Sequence, residues 1–417
     1  MAKQHLLMLG LLLGAGGALS TACTDTGIAA LDDGDAGAKG DAGTTGEGGE
    51  GGEAPYPFPA SLNPQAVVVV GPSPAKSTHL LVGAKDYQKH SEIVSITLGT
   101  GAIDATTTYD DGDVTPASSA GIGFAIERTN DKVHLLDGGE ISATFDLKDL
   151  GTNQAPEGTK AYVPLYNQSL IVVLDLDEGK VSHRIDLNEF NAPGDSDHSA
   201  DIAEGVYAPT SKRAYFLLQR IDLLSFEGAN LPCSKNPGLI VGIDTETDEV
   251  VDLNGSAEGK AIELKLVNPR SLSVNSDGSA LYLLADGCYE GTKKVQRGVE
   301  VVDLTENGQT TVANEADGTD YLVSMILTGG SDALIESQDA DHATHWNKLE
   351  IGGALGAELE NVPEGVSFDG TDLLGVKVTD TTGAVVRYKI ATETQTVISP
   401  TSWAGPYSFG VGTALVQ

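Results

Sequence analysis

Two neighbouring stretches decide the fold, residues 271–285, SLSVNSDGSALYLLA, and residues 299–312, VEVVDLTENGQTTV. Each stretch contains two apolar segments joined by a polar turn, 275–278 in the first and 305–308 in the second. Asn, Asp and Gly are typical turn residues, and the apolar segments have the length of strands rather than of helices. The pattern therefore predicts one unit of four antiparallel strands.

The same unit recurs along most of the chain. Helical periodicity is nearly absent after residue 66, and the second strands of the copies follow one another roughly every 50 residues, the spacing of propeller blades. This predicts an all-β chain whose residues 61–417 form a β-propeller of seven blades, with six or eight also compatible. A pair of β-sandwiches is the alternative, but it does not explain the regular spacing. The other copies cover residues 79–98, 133–145, 161–185, 214–253, 333–351 and 373–390.

Three of these copies resemble the YVTN-type propeller repeats of bacterial and archaeal surface proteins. The first match is Ala161-Tyr162-Val163, followed by Asn167 and by the strand Val172-Val173-Leu174-Asp175. Looser matches are 280–283 with 301–303, and 241–244, whereas Pro164 and Leu165 replace the Thr-Asn of the family pattern. The resemblance implies a seven-bladed propeller outside the cytoplasm. It implies no catalytic residue, because that family shares none.

The first 23 residues have the features of an export signal. Lys3 is followed by an apolar stretch over residues 6–18, which is too short to span a bilayer as a permanent helix. Ser20-Thr21-Ala22-Cys23 then resembles a bacterial lipobox, which predicts a lipoprotein signal peptide over residues 1–22 and acylation of Cys23. Cleavage after Ala22 by an ordinary secretory route is the alternative. Thr24 follows the cysteine, which by resemblance to sorting rules points to the outer membrane or cell surface, with the periplasmic side also compatible.

Residues 23–60 contain the lipidated cysteine and a Gly-rich acidic spacer. Too few apolar side chains are present to offset the entropy of ordering, so the spacer is predicted to be disordered. A flexible coil of ~36 residues spans roughly 33 Å root-mean-square, and like charges extend it further. The spacer would therefore hold the propeller clear of the membrane to which the lipid binds it.

The charge of the chain excludes one class of partner. The 417 residues include 60 Asp and Glu against 25 Lys and Arg, a formal charge of −35. Such a field repels phosphate backbones, so a nucleic-acid partner is not expected. A protein, a glycan or a small ligand remains open as the partner, and the protein is expected to be a monomer.

The three cysteines predict one disulfide. If Cys23 carries lipid, Cys233 and Cys288 remain as an even pair in an oxidising compartment. Both lie in the loop between the second and third strands of their repeat, and the two repeats are neighbours. Equivalent loops of adjacent blades lie side by side, so the two sulfurs are predicted to be bonded.

The same set of loops carries the candidate metal ligands. In a propeller, loops between second and third strands share a face with the connections between blades, and carboxylates and imidazoles on that face can bind a divalent metal. Solvated loop acids are the simpler interpretation, and no cofactor is predicted. The candidate ligands are Asp195, Asp197, His198, Asp201, His342 and His345.

No catalytic motif stands out in the sequence, because nucleophile elbow, zinc-protease and phosphate-loop patterns are all missing. The function predicted is therefore a lipid-anchored binding or interaction module of the cell envelope that is not an enzyme. An exported propeller hydrolase or lyase is one alternative, and it requires a central channel lined by His, Asp or Glu. A metal-binding surface lipoprotein is the other.

Overall fold

The computed structural model describes residues 61–71, 76–87, 89–195, 197–222, 233, 236–255, 260–290, 293–306, 308–316, 320–379, 382–399, 403–404 and 410–417. The predicted signal peptide, Cys23 and the spacer lie outside these residues. Among the residues described, no helix is long and apolar enough to cross a membrane. Within the described part of the chain, a single 3₁₀ turn, Asn188–Phe190, interrupts an arrangement that otherwise consists of strands and loops.

Seven antiparallel sheets form a seven-bladed β-propeller, which confirms the predicted fold class. Strands are numbered in chain order and each blade is given from its innermost strand outward. Blade 1 is β32 (Gly410–Val416), β2 (His79–Lys85), β3 (Ser91–Thr97) and β4 (Ile103–Tyr109); blade 2 is β5 (Val114–Ser119), β6 (Ile122–Glu127), β7 (Lys132–Asp137) and β8 (Glu140–Asp146); blade 3 is β1 (Val68–Val69), β9 (Lys160–Leu165), β10 (Leu170–Asp175) and β11 (Lys180–Asp186).

The remaining blades follow in order along the chain. Blade 4 is β12 (Ile202–Ala208), β13 (Arg213–Leu218), β14 (Leu239–Asp244) and β15 (Glu249–Val251), with β16 (Ile262–Glu263) also paired to β14. Blade 5 is β17 (Pro269–Val274), β18 (Ala280–Ala285), β21 (Gly298–Asp303) and β22 (Gln309–Glu315), and the loop between its second and third strands, here called the 2–3 loop, contains the hairpin β19 (Cys288–Glu290) and β20 (Lys293–Val295). Blade 6 is β23 (Tyr321–Gly329), β24 (Asp332–Gln338), β25 (Thr344–Glu350) and β26 (Leu355–Leu359), and blade 7 is β27 (Glu364–Phe368), β28 (Leu373–Thr379), β29 (Thr382–Lys389) and β30 (Thr394–Val397), with β31 (Trp403–Ala404) paired to β29.

The hydrophobic core is divided into seven clusters, one between each pair of neighbouring blades. Successive side chains of a strand point to opposite faces of its sheet. In β13, Phe216 and Leu218 therefore pack against blade 3, whereas Tyr215 and Leu217 pack against blade 5. Both faces of each blade are buried in this way, which explains why the second strands are apolar without strict alternation.

Two blades take their innermost strand from a distant part of the chain. The C-terminal β32 pairs with β2 and closes blade 1. The N-terminal β1 pairs with β9 and fills the innermost position of blade 3, although the chain after β1 continues into blade 1. The segment that leaves blade 2 runs along the outer edge of blade 3 instead, where the N–H groups of Thr152 and Asn153 donate to the carbonyl of Ser182.

One repeat assignment from the sequence needs correction. Residues 133–136 were expected to begin the second strand of their blade, but they belong to β7, the third strand. The second strand is β6, which pairs with both β5 and β7. Its glycine, Gly123, has no side chain where Leu81 and Val416 of blade 1 approach closely.

Candidate functional site

The seven innermost strands enclose a cavity of about 430 Å³ on the propeller axis. Its polar groups are mainly hydroxyls and one amide, and no Asp, Glu, His, Lys or Arg belongs to the lining among the described residues. The apolar side chains include Val69, Val206, Met325 and Phe368. The hydroxyls of the described lining include the phenol of Tyr207.

The loop face of the propeller, defined as the 2–3 loops and the connections between blades, has a different character. Because each blade is antiparallel, these segments share one face, and hydrogen bonds join them. Tyr166 in the 2–3 loop of blade 3 donates its hydroxyl to Gln219 of blade 4, at 2.6 Å. Gln219 in turn donates to the carbonyl of Pro269 at the start of blade 5, at 2.8 Å. These hydrogen bonds therefore link the described parts of the loop face across blades 3, 4 and 5.

The first described residues also belong to the loop face. Ser61 donates its hydroxyl to the carbonyl of Arg128, at 2.7 Å, and the N–H of Leu62 donates to the buried carboxylate of Asp131, at 2.6 Å. Arg128 and Asp131 form the 2–3 loop of blade 2. Whatever precedes residue 61 therefore joins the propeller on the loop face, beside blade 2.

Buried charges on this face tie neighbouring blades together. Asp286, in the 2–3 loop of blade 5, accepts two hydrogen bonds from Lys294, each 2.8 Å long, and one from the N–H of Leu322 in blade 6, at 2.8 Å. Arg270 and Arg297 lie within 4.0 Å of the same carboxylate. Burial lowers the pKa of Lys294 to about 8, although Asp286 opposes that shift. These groups satisfy one another and hold blade 6 against blade 5, so they have a structural role.

The structure contains the predicted disulfide. Cys233 and Cys288 are bonded, with their Cα atoms 4.8 Å apart. Cys233 lies between β13 and β14, and Cys288 begins the hairpin that fills the equivalent loop of blade 5. The bond therefore joins the 2–3 loops of two neighbouring blades, as the repeat pattern predicted.

The six predicted metal ligands occupy two separate parts of the ring. Asp195, Asp197, His198 and Asp201 lie on the connection from blade 3 to blade 4. His342 lies in the 2–3 loop of blade 6, as the spacing of the repeats implied, whereas His345 was expected in that loop but is the second residue of β25. Nδ1 of His345 is 2.7 Å from Glu358 and its Nε2 is 3.3 Å from Asp339, which raises the pKa of that imidazole. His345 is thus engaged by acids of its own blade.

Asp195 and Asp197 form a compact acidic cluster with Asp222, a residue that the sequence analysis did not select. One carboxylate oxygen of each lies within 4.8 Å of the others. Asp222 follows β13 in the 2–3 loop of blade 4. It reaches Asp195 and Asp197 only because this loop packs beside the connection from blade 3 to blade 4. Asp201 is fully buried nearby, and burial followed by the charges of Asp197 and Asp195 raises its pKa well above the ordinary value.

The comparisons with known proteins show the fold alone. No protein-family model matches the chain. No curated protein matches it either. Solved structures do match: a functionally unknown protein from Desulfotomaculum acetoxidans is 12% identical with a TM-score of 0.50, over 81% of this chain and 99% of that one. TolB from Acinetobacter baumannii is 12% identical with a TM-score of 0.44, over 82% and 67% of the two chains. Similarity at this level identifies a common architecture and transfers no activity.

Proposed function

We propose that the protein is an exported lipoprotein whose propeller acts as a non-catalytic binding module at the cell envelope. The observation that carries this proposal is the bond between Cys233 and Cys288. Disulfides persist in oxidising compartments outside the cytoplasm. Their pairing also leaves Cys23, directly after the signal-like segment, as the remaining cysteine of the chain. That is the arrangement expected when one cysteine carries lipid and the other two stabilise an exported domain.

The chemistry of the axial cavity supports a binding role over a catalytic one. Hydrolysis or elimination needs a positioned acid or base within hydrogen-bond reach of the substrate. The described lining supplies hydroxyls, such as those of Ser118 and Ser273, but no imidazole or carboxylate of its own. Propellers commonly bind through extended loop surfaces. The loop face, which carries the longer loops and the acidic groups, is the surface we assign to a protein, glycan or small ligand.

The attachment of the N-terminal segment supports a tethered arrangement. The hydrogen bonds of Ser61 and Leu62 fix the start of the propeller beside blade 2. A lipid on Cys23 would then be separated from the propeller by the Gly-rich acidic segment, which would span roughly 33 Å as the flexible coil predicted from its composition. Two or three acyl chains anchor stably, because each buried CH₂ contributes about 0.8 kcal/mol. The propeller would remain free to turn either face toward a partner.

Mass spectrometry of the mature protein from a bacterial membrane fraction tests the proposal. We expect an N-terminus at Cys23 that carries acyl chains, together with an intact disulfide in the propeller. Cys23→Ser should move the protein from the membrane fraction to the soluble fraction. Cys233→Ser is the matched control, since it removes a different cysteine and should leave acylation unchanged. An unmodified Cys23 in the mature wild-type protein would contradict lipid anchoring.

A further inference from the structure

The acidic cluster Asp195, Asp197 and Asp222 has the dimensions of a single cation site. One oxygen from each carboxylate lies within 4.8 Å of the other two. Oxygen ligands surround Ca²⁺ at about 2.3–2.6 Å, so two ligands on opposite sides of one ion are at most about 5 Å apart. The three oxygens are therefore close enough for one ion to contact all of them after small adjustments of their side chains.

A second observation points to a missing cation. Asp195 is 4% exposed, and its Oδ2 is buried with no hydrogen-bond partner among the described residues. Asp201 is 0% exposed, and its Oδ1 is likewise buried with no hydrogen-bond partner among the described residues. No Lys, Arg or His of the described chain forms an ion pair with either residue. Burying an ionised carboxylate oxygen without a donor or counter-ion is costly, so a bound cation would stabilise these two oxygens.

Asp201 is hydrogen-bonded to the loop that carries Asp222. Its Oδ2 accepts a hydrogen bond from the N–H of Ile221, at 2.7 Å. Ile221 directly precedes Asp222, so this bond positions the loop that brings Asp222 to the cluster. Arg220, on the same loop, donates to the carbonyls of Pro237 and Asn191. Its guanidinium is therefore occupied by backbone groups, although its charge acts on Asp195 from a distance.

The donor set selects the class of ion. The cluster offers only carboxylate oxygens, and soft or borderline metals prefer the thiolate or imidazole ligands that it lacks. Mg²⁺ requires a near-ideal octahedron at about 2.0–2.1 Å, whereas Ca²⁺ accepts six to eight oxygens in irregular geometry. Asp197 and Asp222 are half-buried, so water can reach the open side and complete the coordination. A site built from two loops and one buried carboxylate suits the larger ion.

We propose that Asp195, Asp197 and Asp222 bind one Ca²⁺ ion between blades 3 and 4, with Asp201 as a positioning residue behind them. The ion joins the connection that enters blade 4 to the 2–3 loop of the same blade. That loop also carries Cys233, which is bonded to blade 5. Calcium and the disulfide thus fix the two sides of one loop on the loop face.

Calorimetric titration of the EDTA-treated, disulfide-intact protein with CaCl₂ and with MgCl₂ tests the site. We expect a single calcium site with a dissociation constant of about 10⁻⁴–10⁻³ M, the range of extracellular calcium-binding modules, and much weaker binding of magnesium. Asp197→Asn and Asp222→Asn should each weaken calcium binding by about tenfold or more, because affinity follows the number of charged ligands. Asp341→Asn, in the exposed loop of blade 6, is the matched control and should leave binding unchanged.

Two results would overturn the proposal. The first is the absence of both heat and a rise in melting temperature when millimolar CaCl₂ is added to the wild-type protein. The second is unchanged calcium affinity in both Asp197→Asn and Asp222→Asn, which would put the ion elsewhere. Circular dichroism of the two variants checks that the propeller is intact. If acidification stabilises the wild-type protein and calcium does not, the carboxyls share a proton instead, and the calcium site is rejected.

Discussion

Val68 pairs with Tyr162 in antiparallel register, so a residue that precedes blade 1 in the chain forms the innermost strand of blade 3. Strand β1 is therefore a structural component of the ring, although it precedes blade 1 in the chain. Val68 is 2% exposed and packs between blades 3 and 4 with Tyr162 and Phe216. Two blades are thus completed by strands from the ends of the described chain: blade 1 by β32 and blade 3 by β1.

Val68→Ala should destabilise the protein by about 2 kcal/mol. The substitution removes two buried methyl groups from a packed interface and leaves a cavity there. Urea unfolding followed by circular dichroism measures the change. Val397→Ala is the matched control, because Val397 is 58% exposed on the outermost strand of blade 7 and should change stability by less than about 0.5 kcal/mol. Equal effects of the two substitutions would show that β1 contributes little to closure.

Loss of the disulfide should destabilise the protein by about 4 kcal/mol. The bond closes a loop of 55 residues, and such a constraint acts mainly on the entropy of the unfolded chain. Thermal unfolding of Cys288→Ser, compared with the wild-type protein with and without reductant, measures the effect. Cys23→Ser should unfold like the wild-type protein. If reductant leaves the melting temperature of the wild-type protein unchanged, the bond does not constrain unfolding.

Glu336→Gln should stabilise the protein at pH 8. Glu336 is buried beside Ser324, which donates to it at 2.7 Å, and burial raises its pKa to about 7. A carboxyl whose pKa is higher in the folded state contributes stability below the pKa of the unfolded chain, near 4.5, and loses it as pH rises through 7. The neutral amide avoids that loss, so we expect a gain of about 2 kcal/mol at pH 8.

Unfolding of Glu336→Gln at several pH values between 4.5 and 8 provides the measurement. The difference from the wild-type protein should grow across this range and level off above pH 7. Glu350→Gln, on the neighbouring strand β25, is an exposed control and should show no such trend. A constant difference at every pH would mean that the carboxyl of Glu336 does not titrate in this window.

Asp286→Ala should be among the most destabilising single substitutions, at about 3–5 kcal/mol. It removes the acceptor for Lys294 and for the N–H of Leu322, and leaves a buried ammonium beside two arginines. Glu246→Ala removes an exposed partner of Lys212 and should cost less than about 1 kcal/mol. Denaturant unfolding distinguishes the two. Similar losses would show that the Asp286 cluster is not the junction between blades 5 and 6.

The sequence by itself determined the architecture and the disulfide. Strand length and turn chemistry are local properties that can be predicted from sequence. Regularly spaced units that each bury two apolar faces favour a closed ring, because every unit then has a neighbour on both faces. The pairing of Cys233 with Cys288 followed from the same regularity, because equivalent loops of adjacent blades must be neighbours. The sequence also placed Asp195 in a connection between blades and His342 in a loop between second and third strands.

Only the tertiary structure decided which of these loops meet. A continuous apolar run indicates that a strand is buried on both faces but does not show which strand it pairs with, so the position of β1 in blade 3 was not visible. For the same reason, the sequence did not show that His342 and His345 lie apart from the aspartates, or that Asp222 lies beside Asp195 and Asp197. Contacts between loops depend on the angular positions of blades around the ring, which are set by long-range packing that no local pattern encodes.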